Sequence, residues 1–132
     1  MVYMENALSE PVGLTVCQNK VLNEIVRDRY FLDIFYLSGG TALSSWYLNH
    51  RESYDLDFFC DTPLDYDRIM RWFHHNEQVI EYESIRFDQD YGFLLCFLRF
   101  KNNDVLKIDF HNYGVKSLQK GHRWHGLLID SF

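Results

Sequence analysis

Apolar positions between residues 14 and 30 fall at Val16, Val21, Leu22, Ile25 and Val26, close to the period of a helix. The spacing predicts one amphipathic helix over 14–30, with Glu24, Arg27 and Asp28 on its wet side. The run Asp33-Ile34-Phe35-Tyr36-Leu37 is too short for an ordinary helix and rich in β-formers, and it ends at Gly39-Gly40. It predicts a buried strand. Residues 41–49 return to helical spacing, with Leu43, Trp46 and Tyr47 on one face, and 49–54 form a polar connection.

Residues 55–60 alternate charged and apolar side chains before turning fully apolar, which is a strand pattern. Residues 64–77 predict a helix with Ile69, Met70, Trp72 and Phe73 inward and Asp61 or Thr62 as its cap. Three β-like runs follow at 79–87, 92–101 and 105–111, with Asn102-Asn103-Asp104 as the turn between the last two. A final short strand is expected at 127–129. The sequence shows no internal repeat, low-complexity tract or linker. Helices and strands in this order predict one α/β or α+β domain, a mixed sheet with helices packed on it.

Composition narrows the class. The 132 residues fit a single domain, and 47% hydrophobic residues supply a core and exclude a disordered tail. Eleven Phe and nine Tyr are read as bulky core side chains rather than as a stacking platform for bases. A net charge of −6 argues against broad, sequence-independent binding to nucleic acid, although a small basic patch beside an acidic site can still hold an RNA end. Cys17, Cys60 and Cys96 lack the close spacing of a zinc or redox motif, and the latter two lie in apolar runs. No secretory leader and no apolar run of membrane-spanning length is present, so the reading is cytoplasmic, with no membrane partner.

The chemistry concentrates in three places. In Asp55-Leu56-Asp57, alternation along a strand points both carboxylates to one face. Two such charges repel unless a cation lies between them, and oxygen-rich sites suit Mg²⁺ or Mn²⁺. Asp-x-Asp pairs also occur on solvated strand faces, but Leu56, Phe58, Phe59 and Cys60 mark this strand as interior. Asp109 is a lone carboxylate in the apolar run Leu106-Lys107-Ile108-Asp109-Phe110. Alone it reads as an ion pair with Lys107 on an edge strand; beside the Asp55 strand it would make a third converging carboxylate, as two-metal phosphoryl transfer requires. Ser38-Gly39-Gly40-Thr41 lies between strand and helix, where glycines allow close backbone approach and free N–H groups suit phosphate. The same residues also make a common structural turn, and they are not a P-loop. His74-His75 reads as surface. His111 reads equally as a site residue or a structural one. The cluster His122-Arg123-Trp124-His125 reads either as an RNA contact or as a loop packing its Trp on the domain.

The blocks Ser38-Gly39-Gly40-Thr41-Ala42-Leu43 and His50-Arg51-Glu52-Ser53-Tyr54-Asp55-Leu56-Asp57-Phe58-Phe59, followed by Lys107-Ile108-Asp109, resemble the signature of the AbiEii/AbiGii-type toxin nucleotidyltransferases. That family belongs to the DNA polymerase β-like nucleotidyltransferase superfamily, and the resemblance spans about residues 31–131. It implies a nucleotidyltransferase-type mixed sheet. Gly39, Gly40 and Thr41, preceded by Ser38, would cradle a nucleoside triphosphate. Asp55 and Asp57 would bind two Mg²⁺ (or Mn²⁺) ions, and Asp109 would complete the second metal site and help to deprotonate the attacking hydroxyl. Arg51 and Ser53 would contact phosphate oxygens, unless Arg51 pairs with Asp55 or Glu52 to tie down its loop. Members of the family continue past the position of Asp130-Ser131-Phe132 into a helical part that carries a Lys and further acidic residues. The expectation is therefore a core domain over 1–132 without that part.

The implied reaction moves a nucleoside monophosphate from an NTP to a hydroxyl of a tRNA 3′ end or of a protein side chain, with a cognate antitoxin as a further partner. Two rivals stand beside it, a non-catalytic module that keeps the fold and a metal-dependent nuclease built on the same carboxylates. Gly39-Gly40 favours triphosphate over the nuclease.

Overall fold

The computed structural model describes residues 7–47, 55–112 and 122–130. Its first helix, α1 (Val16–Ile25), opens on a reciprocal cap. Gln18 N–H donates to Thr15 Oγ1, and Thr15 N–H donates to Gln18 Oε1, both at 2.9 Å. Val21, Leu22 and Ile25 are buried, whereas Val16, expected inward, is 71% exposed in the first turn. Removing this cap with Thr15→Ala is expected to cost about 1 kcal/mol, read as a lowered urea midpoint at unchanged slope.

The single helix expected over 14–30 is in fact two. At Asp28 the backbone is extended, and its carboxylate accepts from Tyr30 N–H at 2.8 Å to start α2 (Arg29–Ile34). The helical period of the apolar residues is blind to this break, because it is made by a side-chain cap. The consequence is useful: α2 and the residue after it aim Phe31 and Phe35 into the core. The following strand, β1 (Tyr36–Ser38), is correspondingly shorter and later than the sequence pattern predicts.

Gly39 leaves β1 with φ +85 and opens α3 (Gly39–Ala42), which widens into a π turn at Leu43–Tyr47. Then β2 (Leu56–Cys60) alternates buried and half-buried positions. Helix α4 (Tyr66–His75) is capped by Asp65, not by Asp61 or Thr62, and buries Ile69, Trp72 and Phe73. A further short helix, α5 (Glu77–Ile80), ends on Glu81 at φ 66, so residues 79–80 are helical although their β-branched character suggests a strand. The three long strands are β3 (Tyr82–Asp90), β4 (Phe93–Phe100) and β5 (Val105–Asn112). Asn103, at φ 67, makes the expected turn between the last two. A hairpin of β6 (His122–Trp124) and β7 (Leu127–Ile129) turns through His125 and Gly126. Both turn residues have positive φ, which suits the twist of a two-residue hairpin.

The described strands form one mixed sheet in the order β3-β4-β5-β2-β1-β7-β6. β2 runs parallel to β5 and β1 parallel to β7, and the remaining pairings are antiparallel. One face carries Leu37, Leu56, Phe58, Leu94, Cys96, Ile108 and Phe110, all fully buried beneath the helices. Much of the aromatic excess lies here: Phe58 stacks on Phe110 at 5.2 Å, and Phe31, Phe35 and Phe73 meet the same ring. Such pairs add specificity of geometry to the area they bury. Cys60 and Cys96 are buried, as expected, and His74 and His75 are exposed. Trp124 is buried against Trp46, with its Nε1–H directed at Glu10 Oε2 (3.3 Å), which is the packing alternative for the cluster at 122–125. Among the described residues no helix is long and apolar enough to cross a membrane.

Candidate active site

The second face of the sheet carries the polar row. Ser38 is the register partner of Asp57, and Asp57 of Asp109. Directly opposed residues on adjacent strands project to the same side, so the pairing sets the two carboxylates side by side. Strand β5 lies between β4 and β2, so Asp109 is on an interior strand rather than on the edge its ion-pair reading assumed. The ion pair exists as well, with Lys107 Nζ 3.4 Å from Asp109 Oδ2.

Two carboxylates this close do not titrate alike. Burial pushes Asp57 up to about 6, helped by the neighbouring charge and hydrogen bond of Asp109 and by the charge of Asp55. Asp109 goes the other way. Burial opposes its ionisation, but hydrogen bonds and charge from His111 and Lys107 outweigh that and hold it below the usual range. One oxygen of Asp109, Oδ1, is buried and meets no hydrogen-bond donor among the described residues. A dry, unpaired carboxylate oxygen is costly, and a cation is what would satisfy it.

Gly39 completes the floor of the site. A Cβ built there would fall 2.6 Å from Asp57 Oδ2, closer than real atoms approach, and φ +85 is itself a conformation that favours glycine. The backbone after β1 therefore lies directly against the carboxylate. Thr41, fully buried, donates its hydroxyl to the backbone carbonyl of Asp55, tying the start of α3 to the segment entering β2. Gly40, by contrast, is exposed.

Ligand atoms of Asp57, Asp109 and His111 all lie within 4.8 Å of one another. Asp55, one residue before β2, adds its charge to this group, but its carboxylate is not one of the clustered three. His111 follows Asp109 by two residues and so shares its face. Its Nε2 is 3.7 Å from Asp109 Oδ2, and its ring stacks on Phe59 at 5.0 Å. Tyr36 stacks on the other side of Phe59 at 5.8 Å, giving an aromatic row beside the carboxylate row. The sequence singled out His111 but could not choose between its two roles. It missed Asp130, whose Oδ2 accepts from Ser38 Oγ at 3.4 Å, because that pairing depends on the register of β7 against β1. Arg51 and Ser53 lie outside the described residues.

Oxygen donors, an unpaired buried carboxylate oxygen and a raised neighbouring pKa together fit a divalent cation. The model of the family described as "Nucleotidyl transferase AbiEii toxin, Type IV TA system" matches residues 20–114. Among solved structures, JHP933 from Helicobacter pylori is similar at 21% identity and a TM-score of 0.59, over 88% of this chain and 53% of that one. A second H. pylori protein, described as a candidate nucleotidyltransferase, is similar at 22% identity and a TM-score of 0.50, over 80% of this chain and 51% of that one. The chain thus spans about half the length of these structures, and at this identity the likeness speaks for the fold. No curated protein matches the chain.

Proposed function

We propose, for a chain that belongs to the AbiEii nucleotidyl transferase toxin family, transfer of a nucleoside monophosphate from an NTP to an acceptor hydroxyl, with release of pyrophosphate. The observation that carries this reading is the in-register opposition of Asp57 and Asp109, with Asp109 Oδ1 buried and without a hydrogen-bond donor among the described residues and the backbone of Gly39 against Asp57. Mg²⁺ or Mn²⁺ held by Asp57 and Asp109, with Asp55 completing the charge, would neutralise the triphosphate and the attacking oxygen.

The chain's own groups do the rest. Asp109, held ionised by Lys107 and His111, can accept a hydrogen bond from the incoming hydroxyl and help to remove its proton. Backbone N–H groups from Gly39 to Thr41, next to Ser38, would face the phosphates, on a turn that Gly39 lets lie against the Asp57 carboxylate. Arg51 and Ser53 would contact phosphate oxygens in this reading. Residues 1–132 act as the nucleotidyltransferase core domain, working in the cytoplasm, with a tRNA 3′ end or a protein hydroxyl as acceptor and a cognate antitoxin as regulator.

The test is labelling of total cellular RNA and total protein with each NTP carrying a labelled α-phosphate, in Mg²⁺ and in Mn²⁺. Label should appear in one acceptor class, and Asp109→Asn should lower it by roughly 10²-fold or more, the scale on which misplaced groups act. Nucleotide binding by calorimetry without any labelling would make the chain a non-catalytic module. Shortening of the RNA without pyrophosphate release would make it a nuclease.

A further inference from the structure

We infer that His111 is a direct nitrogen ligand of the active-site cation, through Nε2, and that it biases the site towards Mn²⁺ over Mg²⁺. The inference rests on the carboxylate pair being a cation site, and it adds a donor that neither the motif nor the family signature assigns. Donors bound to one ion at roughly 2.1 Å can stand no more than about 4.2 Å apart. Asp109 Oδ2 and His111 Nε2, at 3.7 Å, already satisfy that limit. The clustered atoms of Asp57, Asp109 and His111, within 4.8 Å of one another, need to close by about 0.6 Å to meet the same limit.

The imidazole is held in place for this. Its ring is stacked at 19° on Phe59, its register partner on β2, and Phe93 lies beyond it at 6.4 Å. Lys107 Nζ is the competing cation at Asp109 Oδ2, but its side chain is 37% exposed and can swing to solvent. The second, independent sign of a cation ligand is Asp109 Oδ1, buried and without a hydrogen-bond donor among the described residues. Mg²⁺ prefers an all-oxygen shell and gives up water reluctantly, whereas imidazole nitrogen suits transition ions. A carboxylate–carboxylate–imidazole set therefore discriminates between the two ions where three carboxylates would not.

Pulsed electron paramagnetic resonance on the whole chain loaded with MnCl₂ reads the bond directly. Coupling of bound Mn²⁺ to an imidazole ¹⁴N is expected in the wild type and should vanish in His111→Gln. Calorimetric titration with MnCl₂ and with MgCl₂ should show that this variant loses on the order of tenfold or more in Mn²⁺ affinity, with a much smaller change for Mg²⁺. Equal losses for both ions, or no ¹⁴N coupling in the wild type, would overturn the inference and leave His111 as a positioning residue for Asp109. Failure of the wild type to bind either ion at millimolar concentration would instead remove the cation site itself, and with it the reading on which the inference rests.

Discussion

Replacing Gly39 by alanine is expected to destabilise the domain by about 2–5 kcal/mol and to abolish stabilisation by Mg²⁺ or Mn²⁺. Two independent costs add. A side chain at φ +85 is worth roughly 1–2 kcal/mol of backbone strain. The new methyl would also overlap Asp57 Oδ2 at 2.6 Å, with Asp57 Cγ and Cβ at 3.2 and 3.3 Å, and crowding of this kind costs about 1–3 kcal/mol. Relief requires either that Asp57 rotate away or that β1 and β2 part, and both dismantle the cation site. Gly40 provides the control. It is exposed, helical and without positive φ, so Gly40→Ala should be neutral or slightly stabilising. Thermal melts with and without metal check the pair; equal behaviour of the two variants would refute the contact.

Asp57→Asn should act in the opposite direction. The carboxyl of Asp57 titrates at about 6 in the folded chain against an ordinary value of 3.8. Between those values the folded protein holds a proton that the unfolded chain has released, so this group's contribution falls as pH rises through that window. The metal-free wild type therefore loses stability from pH 4 to about 6.5 on this account, by about 1–2 kcal/mol once the group's partial exposure to solvent is discounted. Asn cannot ionise, so the variant should lack this loss and be the more stable protein at pH 7 without metal. With metal the order reverses, because a ligand at 100 times its Kd adds about 2.7 kcal/mol to a protein that binds it and nothing to one that does not. Melting curves at pH 4.5 and 7, in chelator and in metal, give all four values. A variant that is less stable than wild type at pH 7 in chelator, or one that still gains from metal, would contradict the assignment.

How much of this was legible in the sequence follows from what each signal measures. Alternation in 55–60 and the isolated carboxylate of 105–111 marked both site strands, because an acid in an apolar strand stands out locally. That the two strands are neighbours was an inference from chemistry, and the parallel register of Asp57 with Asp109 bears it out. The break at Asp28 was not legible, since a cap is a single side-chain hydrogen bond with no periodic signature. Nor was the role of Gly39 against Asp57, because a close approach between residues 18 apart depends on how β1 and β2 pair. The open face of the sheet also corrects part of the aromatic reading: Tyr36 and Phe59 are half-buried beside the carboxylates rather than core.

The parallel pairing of β1 with β7 has a consequence for the order of assembly. Ser38 and Asp130 meet across 92 positions of chain, and Asp57 and Asp109 across about fifty. Neither contact can form while the intervening strands are still being made. At typical synthesis rates of about 5–20 residues per second, Asp57 waits roughly 3–10 s for its partner to exist. Non-local and parallel pairings of this kind also fold slowly, since loop closure must be met before any contact rewards it. The cation site is thus a late product of folding: the nascent chain carries the motif residues long before it carries the site.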